Sequence, residues 1–389
     1  MQDLTEGKPG ILILRFATPM LIGNVFQQFY NITDSVIVGR FLGKEALAAV
    51  GSSFPILFML ISFVMGITMG STIIIAQYFG AKDIHNVKRS IDTLYIFLFF
   101  MSIAVSILGI AFSGIIFELL NLPVEVLPQA RSYLNIYLSG SIFFFGYNGI
   151  SAILRGLGDS KTPLYFLIFS TIMNILLDLL FVVVFKWGIE GAAIATVMSQ
   201  AGAFIAGVIY LNRTHPIINL SWRKLEFNLD IFRKSLRIGL PSGLQQTFVA
   251  LGMMALLRVV NNFGTNTLAA YSAAGRIDSL AGMPAMNFGA ALSTFVGQNL
   301  GANKPERVKQ GLNSTFIMSS LLAVATTLAV ILFKRNLMSL FTSDPDVIEI
   351  GATYLVITSS FYIFFSSMFV IGGVMRGAGD TLIPMFITL

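Results

Sequence analysis

Long apolar runs separated by short polar intervals make up most of the chain. They fall at about 11–38, 46–78, 93–117, 131–153, 163–185, 189–211, 238–260, 268–297, 311–333 and 350–374, and an eleventh begins near Thr381. Each is close to or above the ~20 residues with which a helix crosses a bilayer, and well beyond the ~10 of a membrane barrel strand. No water is available in the hydrocarbon core, so a crossing segment must close its own backbone hydrogen bonds, which a helix does. The pattern therefore predicts an all-α polytopic membrane protein. Composition agrees: charged residues are 11% of the chain, mean hydropathy is +0.80, and soluble domains carry about 25% charge.

The second half repeats the first at an offset of 221 residues. FLGKEALAA at 41–49 meets NFGTNTLAA at 262–270, so that Gly43 and Leu47 fall on Gly264 and Leu268. AQYFGAKD from Ala76 meets GQNLGANK from Gly297, and RGLGDSKTP from Arg155 meets RGAGDTLIP from Arg376. LRFATP and LRIGLP open the two halves at an offset of 222. Polar landmarks in register argue for duplication rather than for apolar sequence imitating itself. Six spans per copy is an even number, so the copies enter the membrane in the same sense, related by an axis along its normal with a cavity between them. The expected layout is an N-terminal six-helix lobe over 1–211, a cytoplasmic linker over 212–237, and a C-terminal lobe over 238–389 of four helices plus the start of a fifth. The second bundle is expected to be truncated in this chain.

Charge sets the orientation. Seventeen Lys and Arg residues fall in one alternating set of loops and six in the other, which by retention of basic residues on the inner side predicts a cytoplasmic amino terminus in a plasma-membrane protein. The net charge of +6 is scattered through separate loops, so no nucleic-acid partner is expected. There is no cysteine, and no cofactor motif or enzymatic constellation is present.

Acids inside spans are costly and mark candidate chemistry. Asp34 lies about 9 Å below the outer surface, counted from the Arg40 loop, and Asp178 about 12 Å, counted from Lys186. Thr196 enters from the same side to about 10 Å, and Asn174 precedes Asp178 by one helical turn on the same face. Asp34, Asn174, Asp178 and Thr196 are thus a candidate cluster of hard oxygen ligands. It would share a proton or hold a cation such as Na+. The structural alternative is that Asp34 caps a broken helix and Asp178 bonds a neighbouring hydroxyl. Arg276 and Asp278 cannot face each other on one regular helix, and Arg258 is placed to snorkel outward. Pro19, inside the first helix, predicts a kink or hinge. The two RGxGD segments read as turn and topology elements, and no substrate-lining residue can be singled out.

The twofold six-helix repeat, Ala17-Thr18-Pro19 followed by ITDSVIVGRFLG, the AQYFGAKD loop and the duplicated RGLGDSKTP segment together resemble the multidrug and toxic compound extrusion (MATE) family over essentially the whole chain. The resemblance implies a cation-coupled antiporter with twelve helices in two lobes that exports organic cations or amphiphilic drugs. In some bacterial and archaeal members the coupling ion sits in the first lobe, on an Asp of helix one and an Asn, Asp and Thr of helices five and six. Asp34, Asn174, Asp178 and Thr196 match that set in type and order. Other members carry acids in helices seven and ten; here LPSGLQQTFVALG and YIFFSSMFVIGG have none, although Gln245 and Gln246 offer polar contacts. The competing reading is a flippase for a lipid-linked saccharide, for which Arg276 is the one plausible cavity cation. The expected partners are a small cationic or amphiphilic substrate and the lipid bilayer, with the chain acting as a monomer.

Overall fold

The computed structural model describes residues 2–119, 122–214 and 225–388. They form helices α1 Pro9–Leu42, α2 Lys44–Gly80, α3 Ile84–Leu119, α4 Leu127–Ser139, α5 Ser141–Gly156, α6 Lys161–Asp178, α7 Gly188–Thr214, α8 Leu229–Asn261, α9 Thr265–Gly301, α10 Pro305–Ser339, α11 Pro345–Ser359, α12 Tyr362–Ala378 and α13 Leu382–Thr388. Six helices are long and apolar enough to cross a membrane, and the α4–α5 and α11–α12 pairs raise that to eight. α2 and α9, at 37 residues each, pack between the two bundles. Large apolar side chains such as Phe100, Ile107, Leu321 and Leu332 stand exposed on the outer faces of α3 and α10, as lipid-facing positions should.

Four expected elements differ from the observed ones. The spans expected as continuous helices at 131–153 and 350–374 are each broken, with bends of 51° between α4 and α5 and 45° between α11 and α12. The freed carbonyls are taken up by neighbouring hydroxyls: Ser106 Oγ donates to Leu138 O at 2.8 Å and Thr327 Oγ1 to Ser359 O at 2.7 Å. Donors and acceptors are both 221 residues apart, so the repeat conserves the repair as well as the break. The run expected as one helix over 163–185 ends its α-helical part at Asp178 and continues as a π turn, Leu179–Val184. The expected linker, 212–237, is partly helical, since α7 runs to Thr214 and α8 starts at Leu229. Asn228 caps α8 by accepting from Ile231 N at 2.8 Å, and residues 215–224 lie outside the described residues.

The duplication extends to backbone detail. α2 and α9 begin and end 221 residues apart, and left-handed backbone recurs in pairs at Gly43 and Gly264, Lys82 and Asn303, and Gly158 and Gly379. Where the bundles meet, α2 runs along α8 and α9 while α1 runs along α9 and α10. Pro19 in α1 and Pro241 in α8, from the LRFATP and LRIGLP segments, are both buried inside their helices, where each removes one backbone donor. At the end of the molecule that carries the amino terminus, the bundles touch at backbone distance. A Cβ on Gly80 would stand 1.9 Å from Gln298 O, and one on Gly301 would stand 1.9 Å from Gln77 O. Only glycine fits there. Midway along the seam, Asn24 Nδ2 of α1 donates to Asn287 Oδ1 of α9 at 3.1 Å.

Gly301→Ala is expected to wedge this contact and cost about 1–3 kcal/mol, as overpacking does. Thermal unfolding of the purified protein should show a lowered midpoint for Gly301→Ala and none for Gly252→Ala, where a Cβ meets nothing within 4 Å.

Candidate functional site: a buried carboxylate pair beside a cavity

Four helices of the first bundle bring the site together. α1 presents Asp34 and, one turn earlier, Tyr30. α6 presents Asn174 and Asp178 on one face just before the helix widens into the π turn. α7 supplies Thr196 and Gln200, and α4 supplies Tyr133 and Tyr137. All four residues singled out from the sequence are buried, Asn174 to 0% and Asp178 to 1% exposure. The Asp34 and Asp178 carboxyl groups face each other within reach of a shared proton. Thr196 Oγ1 accepts from Tyr30 OH at 3.3 Å, and Gln200 Nε2 donates to Tyr137 OH at 3.4 Å.

Five polar atoms at the centre are buried without a hydrogen-bond partner: Asp34 Oδ1, both Asp178 oxygens, and Asn174 Oδ1 and Nδ2. Buried polar atoms are almost always paired, and here five unpaired ones fall within three residues. Apart from the Asn174 amide nitrogen, which donates hydrogen bonds and does not ligate, these atoms are hard oxygens, which suit a proton or a hard cation and not a metal that favours sulfur or nitrogen. Neither structural alternative for the acids holds, because α1 is unbroken at Asp34 and no hydroxyl donates to Asp178.

Beside the pair lies a cavity of about 590 Å³ lined by Gln27, Tyr30, Asn31, Asp34, Phe54, Phe58, Tyr133, Tyr137, Phe144, Tyr147, Asn148, Thr196 and Gln200, among others. Among the described residues, Asp34 is the one charged residue in its wall. Asn174 and Asp178 are not in the lining, so they sit behind Asp34, which alone connects the buried pair to the cavity. Sequence reasoning missed Tyr30, Tyr133, Tyr137 and Gln200. The signal was present, since Tyr30 and Asp34, Tyr133 and Tyr137, and Thr196 and Gln200 are spaced by four like Asn174 and Asp178, each pair forming a polar stripe on one helical face.

The remaining polar residues fall elsewhere. Asp278 on α9 is half-buried and accepts from Thr358 Oγ1 at 3.2 Å and from Tyr362 OH, which pins the break between α11 and α12. Arg258 and Arg276 are exposed. Gln245 is tied to α13, donating to Pro384 O at 3.2 Å and Thr388 Oγ1 at 2.6 Å, and Gln246 is exposed. The arginines of the RGxGD segments lie in the last turns of α5 and α12 rather than in loops, where a cation meets the negative end of the helix dipole. Asp159 of the first segment accepts from Lys161 N and Thr162 N, each at 3.0 Å, at the start of α6.

An all-helical membrane protein of two repeated bundles, with a polar cavity at a buried acid, has the architecture of a transporter. A family model described as MatE matches residues 19–180 and 241–389. The chain is 35% identical over 387 residues to the probable multidrug resistance protein YpnP of Bacillus subtilis strain 168, covering 100% of this chain and 86% of that protein. It is 26% identical over 370 residues to an FAD transporter of Shewanella oneidensis MR-1, covering 91% and 79%. A solved structure titled as the outward-facing conformation of a multidrug resistance MATE family transporter of the MOP superfamily superposes with a TM-score of 0.91 at 25% identity, covering 99% of this chain and 86% of that one. The chain belongs to the MatE family.

Asp278→Ala would take the carboxylate acceptor from the Tyr362 hydroxyl, while Thr358 Oγ1 would keep Tyr354 O at 3.1 Å. Losing an acceptor from a partly buried cluster costs about 1–3 kcal/mol, expected as a lowered unfolding midpoint, whereas Arg276→Ala at an exposed position should leave the midpoint in place.

Proposed function

We propose that this protein is an antiporter that exports organic cations or amphiphilic drugs by alternating access, driven by Na+ or H+ bound at Asp34, Asn174, Asp178 and Thr196. The observation that carries the reading is the buried, facing carboxylate pair with an unpaired amide beside it, joined to a cavity through one of its two acids. Two carboxylates this close in a dry site stay charged together only with a cation between them; otherwise they hold a proton between them. The pair therefore carries one negative charge fewer with the ion bound than without it, and Asp34 presents that difference to the cavity. A cationic substrate attracted to Asp34 competes with the coupling ion, and that competition is the coupling. Aromatic rings of Tyr30, Tyr133, Tyr137, Phe54 and Phe58 in the lining add favourable contacts for a cation. The excess of basic residues in one set of loops supports a cytoplasmic amino-terminal end, and on that orientation the closed seam belongs to the outward-facing state.

The names of relatives support export of drugs, YpnP being called a probable multidrug resistance protein. The FAD transporter relative and the flippase alternative both point to a substrate carrying pyrophosphate. Such a group calls for Arg or Lys in the cavity, and none lines this one among the described residues.

In proteoliposomes with sodium and proton gradients imposed separately, one gradient should drive efflux of ethidium. Asp178→Asn should reduce that efflux at least tenfold while the protein inserts normally. Full gradient dependence in Asp178→Asn would remove the assigned site. Independently, the coupling ion should raise the unfolding midpoint of the detergent-purified protein, since a ligand bound only to the folded state stabilises it, and Asp178→Asn should abolish the rise.

A further inference from the structure

The seam at the amino-terminal end is held by more than packing. Gln77 Nε2 of α2 donates to Gly377 O of α12 at 3.1 Å, and Gln298 Nε2 of α9 donates to Gly156 O of α5 at 3.0 Å. The two bonds are related by the 221-residue repeat in both donor and acceptor, and each crosses from one bundle to the other. They cap carbonyls near the ends of α12 and α5, which have no further turn of helix to bond.

One feature breaks this symmetry. Residues 2–7, which precede α1, lie over the seam on the Gln298 side. Gln298 is fully buried, and its Oε1 accepts from Leu4 N at 3.0 Å, so a single amide joins the segment, the second bundle and the first. Asn299 Nδ2 and Arg307 Nη2 donate to Leu4 O and Gly7 O at 3.2 and 2.9 Å, and Lys304 Nζ donates to Thr5 O at 3.1 Å. The Leu4 side chain is 0% exposed and packs in the cluster that contains Phe16, Leu292 and Phe295. Across the seam, a Cβ on Gly158 of the first bundle would stand 2.0 Å from Gln2 O, so the segment rests on the turn between α5 and α6. The corresponding residues before α8 do something else: Asn228 N donates to Thr93 Oγ1 of α3 at 3.0 Å, and Glu226 reaches Arg89 at 3.8 Å on the surface. Among the described residues, no strap covers Gln77.

We propose that residues 2–7 are a releasable strap that, through Gln298, locks the two bundles together at the amino-terminal end and must leave its seat before that end can open. The hydrogen bonds between strap and second bundle all run through strap backbone, so they depend on the receiving side chains and not on the strap's own polar groups. Opening the seam breaks Gln298 from Gly156 O, which frees the same amide that holds Leu4, so strap and seam release together.

The strap rests on the antiport reading only in requiring that the bundles part at this end, and its first test, cysteine labelling, is separate from transport. The chain has no native cysteine, and Ala76 is fully buried in the seam, its Cβ 3.1 Å from where a Gly297 Cβ would be. In an Ala76→Cys background, adding Gln298→Ala and Arg307→Ala should speed maleimide labelling at least tenfold. An unchanged labelling rate would overturn the strap, whatever the protein exports. The converse lock avoids any loss of folding: Thr5→Cys with Lys304→Cys, joined by a short bismaleimide, should cut ethidium counterflow in proteoliposomes at least tenfold relative to the same protein before cross-linking. Equal counterflow before and after would also overturn it.

Discussion

A backbone or side-chain polar group inside a bilayer finds a partner within the protein or goes without one, because the solvent supplies none. This constraint explains most of what is regular in the structure. The kinks in the two broken spans expose carbonyls, and Ser106 and Thr327 repair them at repeat-related positions. Asp278 takes the hydroxyls at the second break. Against that background of repair, the unpaired atoms of Asp34, Asn174 and Asp178 mark the region where the protein keeps polar capacity in reserve.

Duplication built a nearly symmetric scaffold, and the chemistry departs from the symmetry. Both bundles share the glycine contacts, the broken span and the bonds of Gln77 and Gln298. The facing acids occur only in the first bundle, where α1 and α6 meet. In the second, the counterparts of Tyr133 and Tyr137 are Tyr354 and Thr358, and the acid nearby is Asp278 of α9, already hydrogen-bonded. The amino-terminal strap is a second departure, on one side of the seam only. A symmetric frame opens and closes; asymmetric groups decide what it carries and when it is released.

Spans, the repeat and the four buried polar residues of the candidate site were legible because each leaves a trace: runs of about 20 apolar residues, a fixed offset, and polar residues within spans. The breaks were hidden, since Gly140 and Ser360 sit within apolar runs and the hydroxyls that rescue them come from other helices. The π turn after Asp178 was hidden for a similar reason, LLFVVV being as apolar as any helix. Tyr30 and Gln200 were missed because phenols and amides do not carry the charge by which a span residue draws notice. The strap was invisible from sequence because its bonds run from backbone to residues nearly 300 positions away.

The central claim is that Asp34 and Asp178 together hold one small positive ion. Infrared difference spectroscopy tests it at the carboxyl groups themselves. A band of a protonated carboxyl should vanish when pH is raised or sodium is added, and should be absent or displaced in Asp178→Asn. A spectrum unchanged by both ions, or a band that persists in Asp178→Asn with the same response, would contradict it.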